Sequence, residues 1–184
     1  MRNTYVIALC ILISSFIVTG CSAPSGQKLQ DKQNSLVPKA QAAIESMSEQ
    51  DSTLEGAIND AYAYAVFPTI STGAFIVGGA GGDGVLFQGG QAVAYVELGQ
   101  GTIGAQIGGG VYSEIVLLKN QSTFESFMNN QFTFAAQATA TAVKAGAAAA
   151  AKYSDGVAVL IMDGKGLMAQ AAVGGQKFTV TPFE

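Results

Sequence analysis

The sequence contains no histidine. Histidine is the usual general base of enzymes, a member of the serine–histidine triad and the commonest ligand of transition metals. Its absence therefore excludes the many classes of enzyme that depend on it. The sequence also lacks a Walker motif. We therefore predict that the protein is not an enzyme and that it holds no metal and no cofactor. A hydrolase that uses only carboxylates or hydroxyls stays open as an alternative, without positive support.

Arginine is almost as scarce, since Arg2 is the single arginine in 184 residues. The first 20 residues hold Arg2 and no other charged residue, so their removal changes the formal net charge from −4 to −5. A chain with an acidic balance and no arginine lacks the electrostatic footprint that phosphate backbones demand. We expect no nucleic-acid partner.

Cysteine occurs only twice, as Cys10 and Cys21. Cys21 closes an N-terminal segment that starts with Met1-Arg2-Asn3, continues through the apolar run Tyr5–Val18 and ends on the small residues Thr19-Gly20. The apolar run is too short to span a bilayer, which takes about 20 residues. The pattern looks like a bacterial lipobox, and it predicts that residues 1–20 are a lipoprotein signal peptide. An ordinary secretory signal with a chance cysteine is the alternative.

If the lipobox resemblance holds, Cys21 becomes the first residue of the mature lipoprotein. It then carries a diacylglyceryl thioether and an acylated amine, with palmitate as an expected acyl chain, and several such chains anchor a protein almost permanently. Cys10 departs with the signal, so we expect no disulfide. Ser22 follows in place of an acidic residue, which by resemblance to bacterial sorting rules predicts the outer membrane, with the domain facing the periplasm.

The polar composition of residues 21–36 predicts a flexible tether, and residues 37–184 are predicted to form one domain. Alanine, glutamine and glutamate predict two short helices at the start of that domain, Pro38–Met47 and Thr53–Val66. Asp51-Ser52 offers an N-cap for the second helix.

After Phe67-Pro68 the sequence changes to short runs of β-branched and aromatic residues separated by glycine, which predicts strands with tight turns. Short connections predict antiparallel neighbours. A short helix is expected to open with a capping box at Ser122 and to end at Met128. The predicted strands cover residues 73–78, 84–88, 92–98, 102–108, 111–119, 156–162, 166–173 and 177–181.

The segment Gln131–Lys144 is ambiguous, because its alanines suit a helix and its alternation suits a strand. We interpret it as a strand, since its pattern has a period of two with β-branched support. Ala147–Ala151 is then a connector with a helical turn. Asp163–Gly166 and Gly174-Gly175 are predicted to be hairpin turns.

Together these elements predict an α+β domain that is mostly β. We expect a strongly coiled antiparallel sheet or a small half-open barrel with a few short helices packed against it, because so many small residues within strands indicate close backbone approach. A transmembrane barrel, suggested by the alternating strands and the terminal Pro182-Phe183-Glu184, is the alternative, and it would need aromatic girdles and longer strands than we find in the sequence.

The segment Gly79–Gly84 contains a G-x-G-x-x-G pattern. A dinucleotide site would need a helix directly after it, whereas Val85–Gly90 is predicted to be a strand ended by a turn. We interpret the glycines as a hairpin.

Five carboxylates lie in the β region, and two of them could form an acid/base pair. Three precede glycine in apparent turns, where aspartate is common because it bonds the backbone, so a structural role is favoured. The five are Asp83, Glu97, Glu114, Asp155 and Asp163.

Several short motifs follow one another along the chain. They are Val66-Phe67-Pro68, Gly73-Ala74-Phe75-Ile76-Val77-Gly78-Gly79, Gly84-Val85-Leu86, Thr102-Ile103-Gly104-Ala105-Gln106-Ile107-Gly108-Gly109 and Lys165-Gly166-Leu167-Met168. Their order resembles the SYLF domain family, from about residue 40 to Phe183. Eukaryotic members of this family bind phosphoinositide membranes and some bind actin, while bacterial members are commonly secreted or lipid-anchored.

The resemblance implies a lipid-binding module whose ligand is a phospholipid, a phosphoinositide-like lipid or another amphiphile. Actin is not expected in a bacterial envelope. Lys165 and Lys177 are candidate contacts for a lipid headgroup, because a flexible ammonium beside a glycine turn reaches a phosphate as a point charge. The alternative is a non-catalytic envelope scaffold, in which a sheet edge or a helical face binds a protein partner.

Overall fold

One antiparallel sheet organises the described part of the chain. The computed structural model describes residues 26–73, 77–103, 110–130, 133–134, 139–142, 146–163, 166–171 and 175–183. The helices are α1 (Gly26–Gln50), α2 (Leu54–Asp60) and α3 (Gln121–Met128). The strands are β1 (Ala63–Gly73), β2 (Val77–Gln88), β3 (Gln91–Ile103), β4 (Gly110–Leu118), β5 (Thr133–Phe134), β6 (Thr139–Ala142), β7 (Val157–Asp163), β8 (Gly166–Ala171) and β9 (Gln176–Pro182). Their order in the sheet is β5-β9-β3-β2-β1-β4-β7-β8-β6.

The sheet is strongly curled. β5 and β6 stand at opposite ends of the strand order, yet Phe134 and Thr139 are only five residues apart in the chain, a reach of at most about 18 Å. The ends of a flat nine-stranded sheet would lie about 38 Å apart. Glu114 of β4 also meets Gln176 of β9 across the concave side, at 3.1 Å, although three strands separate them. The predicted fold class, a mostly β domain with a strongly coiled antiparallel sheet, is confirmed.

The concave inner face of the sheet holds the first hydrophobic core. Alternate residues of the strands point inward, and α3 adds Phe127, whose ring lies 5.0 Å from that of Phe178. Phe67 lies 5.9 Å from Phe178, so three aromatic rings fill the centre. Burial of such rings is the largest hydrophobic contribution that a small domain has. This core holds α3 inside the curl.

The convex outer face holds the second core, under α1. Ala40, Ala43 and Met47 follow one another at three- and four-residue spacings and are buried, so they form the apolar stripe of the helix. They belong to the same core as Tyr64 and Phe87, whose rings stack at 5.2 Å. The sheet is therefore sandwiched between two apolar layers over part of its area.

The helices differ from prediction in two places. α1 begins at Gly26, so residues 26–36 of the predicted tether are helical, and Pro38 lies inside the helix. The sheet stabilises this extension, because Lys32 reaches across to β2 and β3. The predicted helix Thr53–Val66 ends at Asp60, because Ala63–Val66 pair in register with both β2 and β4 and form strand instead.

The helix caps also differ. Asn120 caps α3, since its Oδ1 accepts from the Thr123 amide at 3.0 Å, and the predicted capping box at Ser122 is wrong. At the α1–α2 junction, the Asp51 carboxylate accepts from the Thr53 amide at 2.9 Å and from the Ala148 amide at 2.9 Å. Asp51 thus joins the helices to the turn at residues 147–150, where a helical turn was predicted.

Most predicted strands are confirmed. The predictions for residues 111–119, 156–162, 166–173 and 177–181 coincide, within a few residues where described, with β4, β7, β8 and β9. Residues 84–88 and 92–98 are strand as predicted, but β2 begins seven residues earlier and β3 ends five residues later. The described parts of Gln131–Lys144, β5 and β6, are strands. Asp163 pairs with Gly166, as the predicted hairpin requires. Residues 74–76 and 104–108 of two predicted strands lie outside the described residues.

Two predicted connections are wrong. β8 pairs with β6 and β7 while β9 pairs with β3 and β5, so Gly174-Gly175 does not turn a hairpin. The chain likewise crosses from β3 to β4 without pairing them, because β4 lies between β1 and β7. Sequence neighbours are therefore not always sheet neighbours.

The predicted glycine hairpin at Gly79–Gly84 is also wrong. These residues are extended within β2 and pair with β1 and β3. A Cβ on Gly82 would come within 2.6 Å of the Thr69 carbonyl, and one on Gly84 within 2.6 Å of the Phe67 ring. Both glycines therefore allow the close approach of β1, which has an irregular register between Val66 and Thr69.

Candidate functional site

A groove opens on the outer face, beyond the area that α1 covers. It has a volume of about 570 Å³, and α1 contributes Leu36 and Lys39 to one wall. The floor belongs to β1, β2 and β3, with Ser71, Gly81 and Leu98 among its residues. We call this cavity the glycine groove.

The floor is bare because of the register of the strands. Ser71 pairs with Gly81, Gly81 with Gly99 and Gly99 with Lys177, so one row across four strands has no side chain at its two central positions. A Cβ on Gly99 would meet nothing within 4 Å, and one on Gly81 would meet only the Leu98 carbonyl, at 3.4 Å. The two glycines are therefore not required by close packing. They leave space that a ligand can fill.

The next row toward the covered side carries charge. Asp83 and Glu97 lie directly opposite each other on β2 and β3, an arrangement that is repulsive for two like charges. Lys32 of α1 compensates, with its Nζ 3.6 Å from Asp83 Oδ2 and 3.6 Å from Glu97 Oε1. The three side chains sum to one negative charge.

Tyr95 completes this arrangement, which we call the ammonium seat: Tyr95, Asp83 and Glu97, with Lys32 inside it. Lys32 donates to the Tyr95 hydroxyl, and its Nζ lies 3.9 Å from the centroid of the ring. The Tyr95 hydroxyl in turn donates to Asp83 and lies 3.3 Å from Glu97 Oε1. Burial, and then the hydrogen bonds and charges of the two carboxylates, raise the pKa of Tyr95, so the hydroxyl stays protonated.

Two lysines lie at or near the groove. Lys39 lines it from α1, and Lys177 lies on β9 opposite Gly99, at the end of the bare row. Lys177 is exposed between the buried residues Gln176 and Phe178, so strand alternation directs it to the outer face. Considering the described residues only, neither lysine has a carboxylate within 4 Å. Both are placed to meet an anionic group.

A second polar feature lies on the inner face. Glu114 is fully buried, and Gln176 Nε2 donates to both of its oxygens at 3.1 Å. Burial raises the pKa of Glu114 to about 8, while the hydrogen bond from Gln176 lowers it. The Gln176 Oε1 is buried without a hydrogen-bond partner among the described residues. The pair therefore contains a buried carboxyl group whose pKa is near neutral pH, and it lies on the opposite face of the sheet from the groove.

The five carboxylates singled out in the sequence therefore have different surroundings. Asp83 and Glu97 meet on the outer face, and the predicted turn at Asp83-Gly84 is wrong because both residues lie within β2. Glu114 lies on the inner face. Asp155 occupies a turn, with a φ of 50°, as predicted. Asp163 ends β7 at the hairpin.

Over the part of the chain that is described, no three His, Cys, Asp or Glu residues come together as a metal site would require. None of the helices in those residues has the length and apolar character to cross a membrane.

Of the predicted lipidation site, Cys21, and the two predicted headgroup contacts, Lys165 and Lys177, the structure describes Lys177. It lies on β9 opposite Gly99, near the glycine groove, whereas Cys21 and Lys165 lie outside the described residues. Sequence reasoning missed Lys32, Lys39 and Tyr95. The repeat of glycine at every second position, as in Gly79, Gly81 and Gly99, Gly101, was the available signal, because a period of two indicates one face of a strand.

Residues 99–182 match the family model described as Ysc84, Las17-binding protein actin regulator. The chain is also 27% identical over 86 residues to beta cell expansion factor A of Aeromonas veronii. That match covers 47% of this chain and 33% of the relative, so the chain spans about a third of that protein. The family match includes Lys177, Glu114 and Gly99 but not α1, β1 or β2.

Proposed function

We propose that this chain is a membrane-anchored bacterial lipoprotein of the SYLF family, whose domain binds phospholipid or another amphiphile. The match of residues 99–182 to the Ysc84 family model supports this proposal. The family supports a domain of the lipid-binding or scaffold type, and it is generally non-enzymatic. Acylation at Cys21 anchors the protein to the outer membrane, with the domain in the periplasm. The anchor and the domain act on the same lipid surface.

The glycine groove is the observation that carries this proposal. Its volume of about 570 Å³ lies in the range of small-molecule sites, about 300–1,000 Å³. Lys39 on one wall and Lys177 at the end of the floor offer positive charge to a phosphate, and the Ser71 and Thr69 side chains offer hydroxyl donors. The floor admits close contact because it consists of backbone. These properties suit the headgroup of a phospholipid.

The length of the N-terminal segment also supports a position of the groove close to the bilayer surface. Cys21 and Gly26 are five residues apart, which limits their separation to about 18 Å. From Gly26 the chain is helical and contacts the sheet through Lys32. An acylated Cys21 would therefore keep the groove near the bilayer surface.

Flotation with phospholipid vesicles tests the binding. The material is the mature chain, residues 21–184, with Cys21→Ser to remove the acyl anchor. We expect it to float with the vesicles, and we expect Lys39→Gln combined with Lys177→Gln to weaken binding three- to tenfold. Lys119→Gln combined with Lys152→Gln is the matched control, because it removes the same charge away from the groove. Failure of the parent protein to float with any vesicle would overturn the proposal.

Metabolic labelling with radioactive palmitate tests the anchor separately. The wild-type chain should incorporate label and the Cys21→Ser chain should not. If binding fails while labelling succeeds, the scaffold function becomes the better account, and cross-linking in cells should then give a dominant protein adduct with no lipid retained.

A further inference from the structure

We propose that the ammonium seat binds the primary amine of a zwitterionic phospholipid headgroup, and that Lys32 occupies the seat until such a headgroup displaces it. This inference rests on the proposed function, since it names the headgroup that the glycine groove selects. Phosphatidylethanolamine is the lipid with that chemistry.

The position of Lys32 shows which chemical group the seat accepts. Its Nζ is a primary ammonium that donates to the Tyr95 hydroxyl and lies 3.6 Å from a carboxylate oxygen of both Asp83 and Glu97. A ligand ammonium with N–H donors can take the same place, hydrogen-bonded to the hydroxyl and ion-paired with the two carboxylates. The Tyr95 ring adds a cation–π contact, with Nζ 3.9 Å from its centroid. A quaternary ammonium has no N–H to donate, so the seat favours ethanolamine over choline.

The charges also favour a zwitterion. The two carboxylates of the seat carry two negative charges, so a ligand ammonium that displaces Lys32 restores the positive charge that Lys32 provided between them. Asp83 and Glu97 both line the glycine groove, and Lys39 lines the same groove. An amine at the carboxylates and a phosphate at Lys39 would place the two headgroup charges on opposite partners. A polyanionic headgroup would instead meet the carboxylates and be repelled.

Lys32 is able to leave the seat because of where it lies in α1. It precedes Pro38, whereas the buried residues Ala40, Ala43 and Met47 follow it. Proline removes one backbone hydrogen bond from the helix interior, which weakens the link between the two halves. Leu36 and Val37, next to the proline, pack on the outer core as the second half does, whereas Lys32 contacts the sheet by an exposed ion pair, of the kind that contributes only about 0–1 kcal/mol. Displacement of Lys32 therefore frees residues 26–35 alone.

The test compares the affinity of the Cys21→Ser mature chain for three kinds of vesicle. These are phosphatidylcholine alone, phosphatidylcholine with phosphatidylethanolamine, and phosphatidylcholine with phosphatidylglycerol. We expect the tightest binding to vesicles that contain phosphatidylethanolamine. Lys32→Met should strengthen that binding three- to tenfold and leave binding to phosphatidylcholine unchanged, because it removes the competing ammonium. Asp83→Asn and Glu97→Gln should abolish the preference. Lys152→Met is the control and should change neither value.

Amide hydrogen exchange provides a readout that does not depend on a variant folding. Vesicles with phosphatidylethanolamine should speed exchange in residues 26–35 of the parent protein and leave residues 40–50 protected. Vesicle binding with no preference for phosphatidylethanolamine, or with Lys32→Met weaker than the parent, would overturn the seat and leave the proposed function standing. Absence of binding to all three vesicles would overturn both.

Discussion

The outer face of β1, β2 and β3 has two halves that differ in one property, the volume of their side chains. In the covered half, Tyr64, Val66, Val85 and Phe87 pack beneath α1. In the bare half, Ser71 and Gly81 line the glycine groove, and Gly99 lies directly opposite Gly81 on β3. The same strands run through both halves with continuous pairing. The difference shows that a sheet can combine a core and a binding surface on one face by changing only the outward residues.

The largest effect on stability is expected when a large side chain is removed from the covered half. Phe87 is buried and stacked on Tyr64, so Phe87→Ala removes a ring that the core cannot replace. We expect a loss of about 3–5 kcal/mol in the free energy of unfolding, measured by denaturant titration. A loss below about 1 kcal/mol would show that α1 does not pack on this half.

A substitution of Glu114 on the inner face should change the stability of the protein without changing the groove. Burial raises the pKa of Glu114 from 4.5 to about 8, so the folded protein holds a proton that the unfolded chain has already released. The stabilising effect is complete below pH 4.5 and is lost as the pH rises through 8. Glu114→Gln should remove this dependence and be more stable than wild type by a few kcal/mol at pH 9, on a scale of about 1.4 kcal/mol per pKa unit.

Thermal unfolding from pH 4 to 9 measures that prediction, with Glu125→Gln as an exposed control. Equal pH profiles for wild type and Glu114→Gln would contradict it. Vesicle binding at pH 6 should be the same for both, because Glu114 faces away from the groove.

Asp51 tests how α1, which packs on the covered half, is attached to α2 and to the turn at residues 147–150. Burial acts to raise the pKa of this carboxyl, but hydrogen bonds from Thr53, Ala148 and Gly146 outweigh it and lower the pKa below its ordinary value. Asp51→Ala leaves those donors unsatisfied and should cost about 1–3 kcal/mol at pH 7. The difference from wild type should shrink as acid protonates Asp51. A difference that stays constant down to pH 2 would show that the charge plays no part.

The smallest effect on stability is expected in the bare half. Gly99→Leu adds a side chain where a Cβ meets nothing within 4 Å, so the free energy of unfolding should change by less than about 0.5 kcal/mol. Gly84→Leu is the contrasting variant, because its Cβ would lie within 2.6 Å of the Phe67 ring, and it should be strongly destabilised. Equal losses for both glycines would remove the distinction between glycines that allow packing and glycines that leave a surface bare.

The sequence predicted the strands whose apolar pattern is clear. β4, β7 and β9 were found in this way, since each carries β-branched residues, with a period of two in β9 and a continuous buried run in β4 and β7. The strand conformation of Gly79–Gly84 was not predicted, because a cluster of glycines is typical both of a turn and of a strand that lacks side chains on one face. The register with β1 and β3 decides between them, and register depends on residues far apart in the chain.

The site was predictable only in part, for a similar reason. Lys177 was found because it stands beside glycines, while Lys32 was assigned to a tether because its neighbours are polar. Its helix is stabilised by Asp83 and Glu97, more than 50 residues away in the chain. Such tertiary stabilisation cannot be seen in local composition.

Native mass spectrometry of lipid retained by the purified protein tests the central claim most directly. The wild-type chain and Gly99→Leu would be extracted from the envelope in parallel, with Gly56→Leu as the control, since a Cβ on Gly56 also meets nothing within 4 Å and lies on α2. We predict that wild type and Gly56→Leu retain a phospholipid and that Gly99→Leu, equally stable, retains none. Equal retention of lipid by all three proteins would contradict the assignment of the bare half as the binding surface.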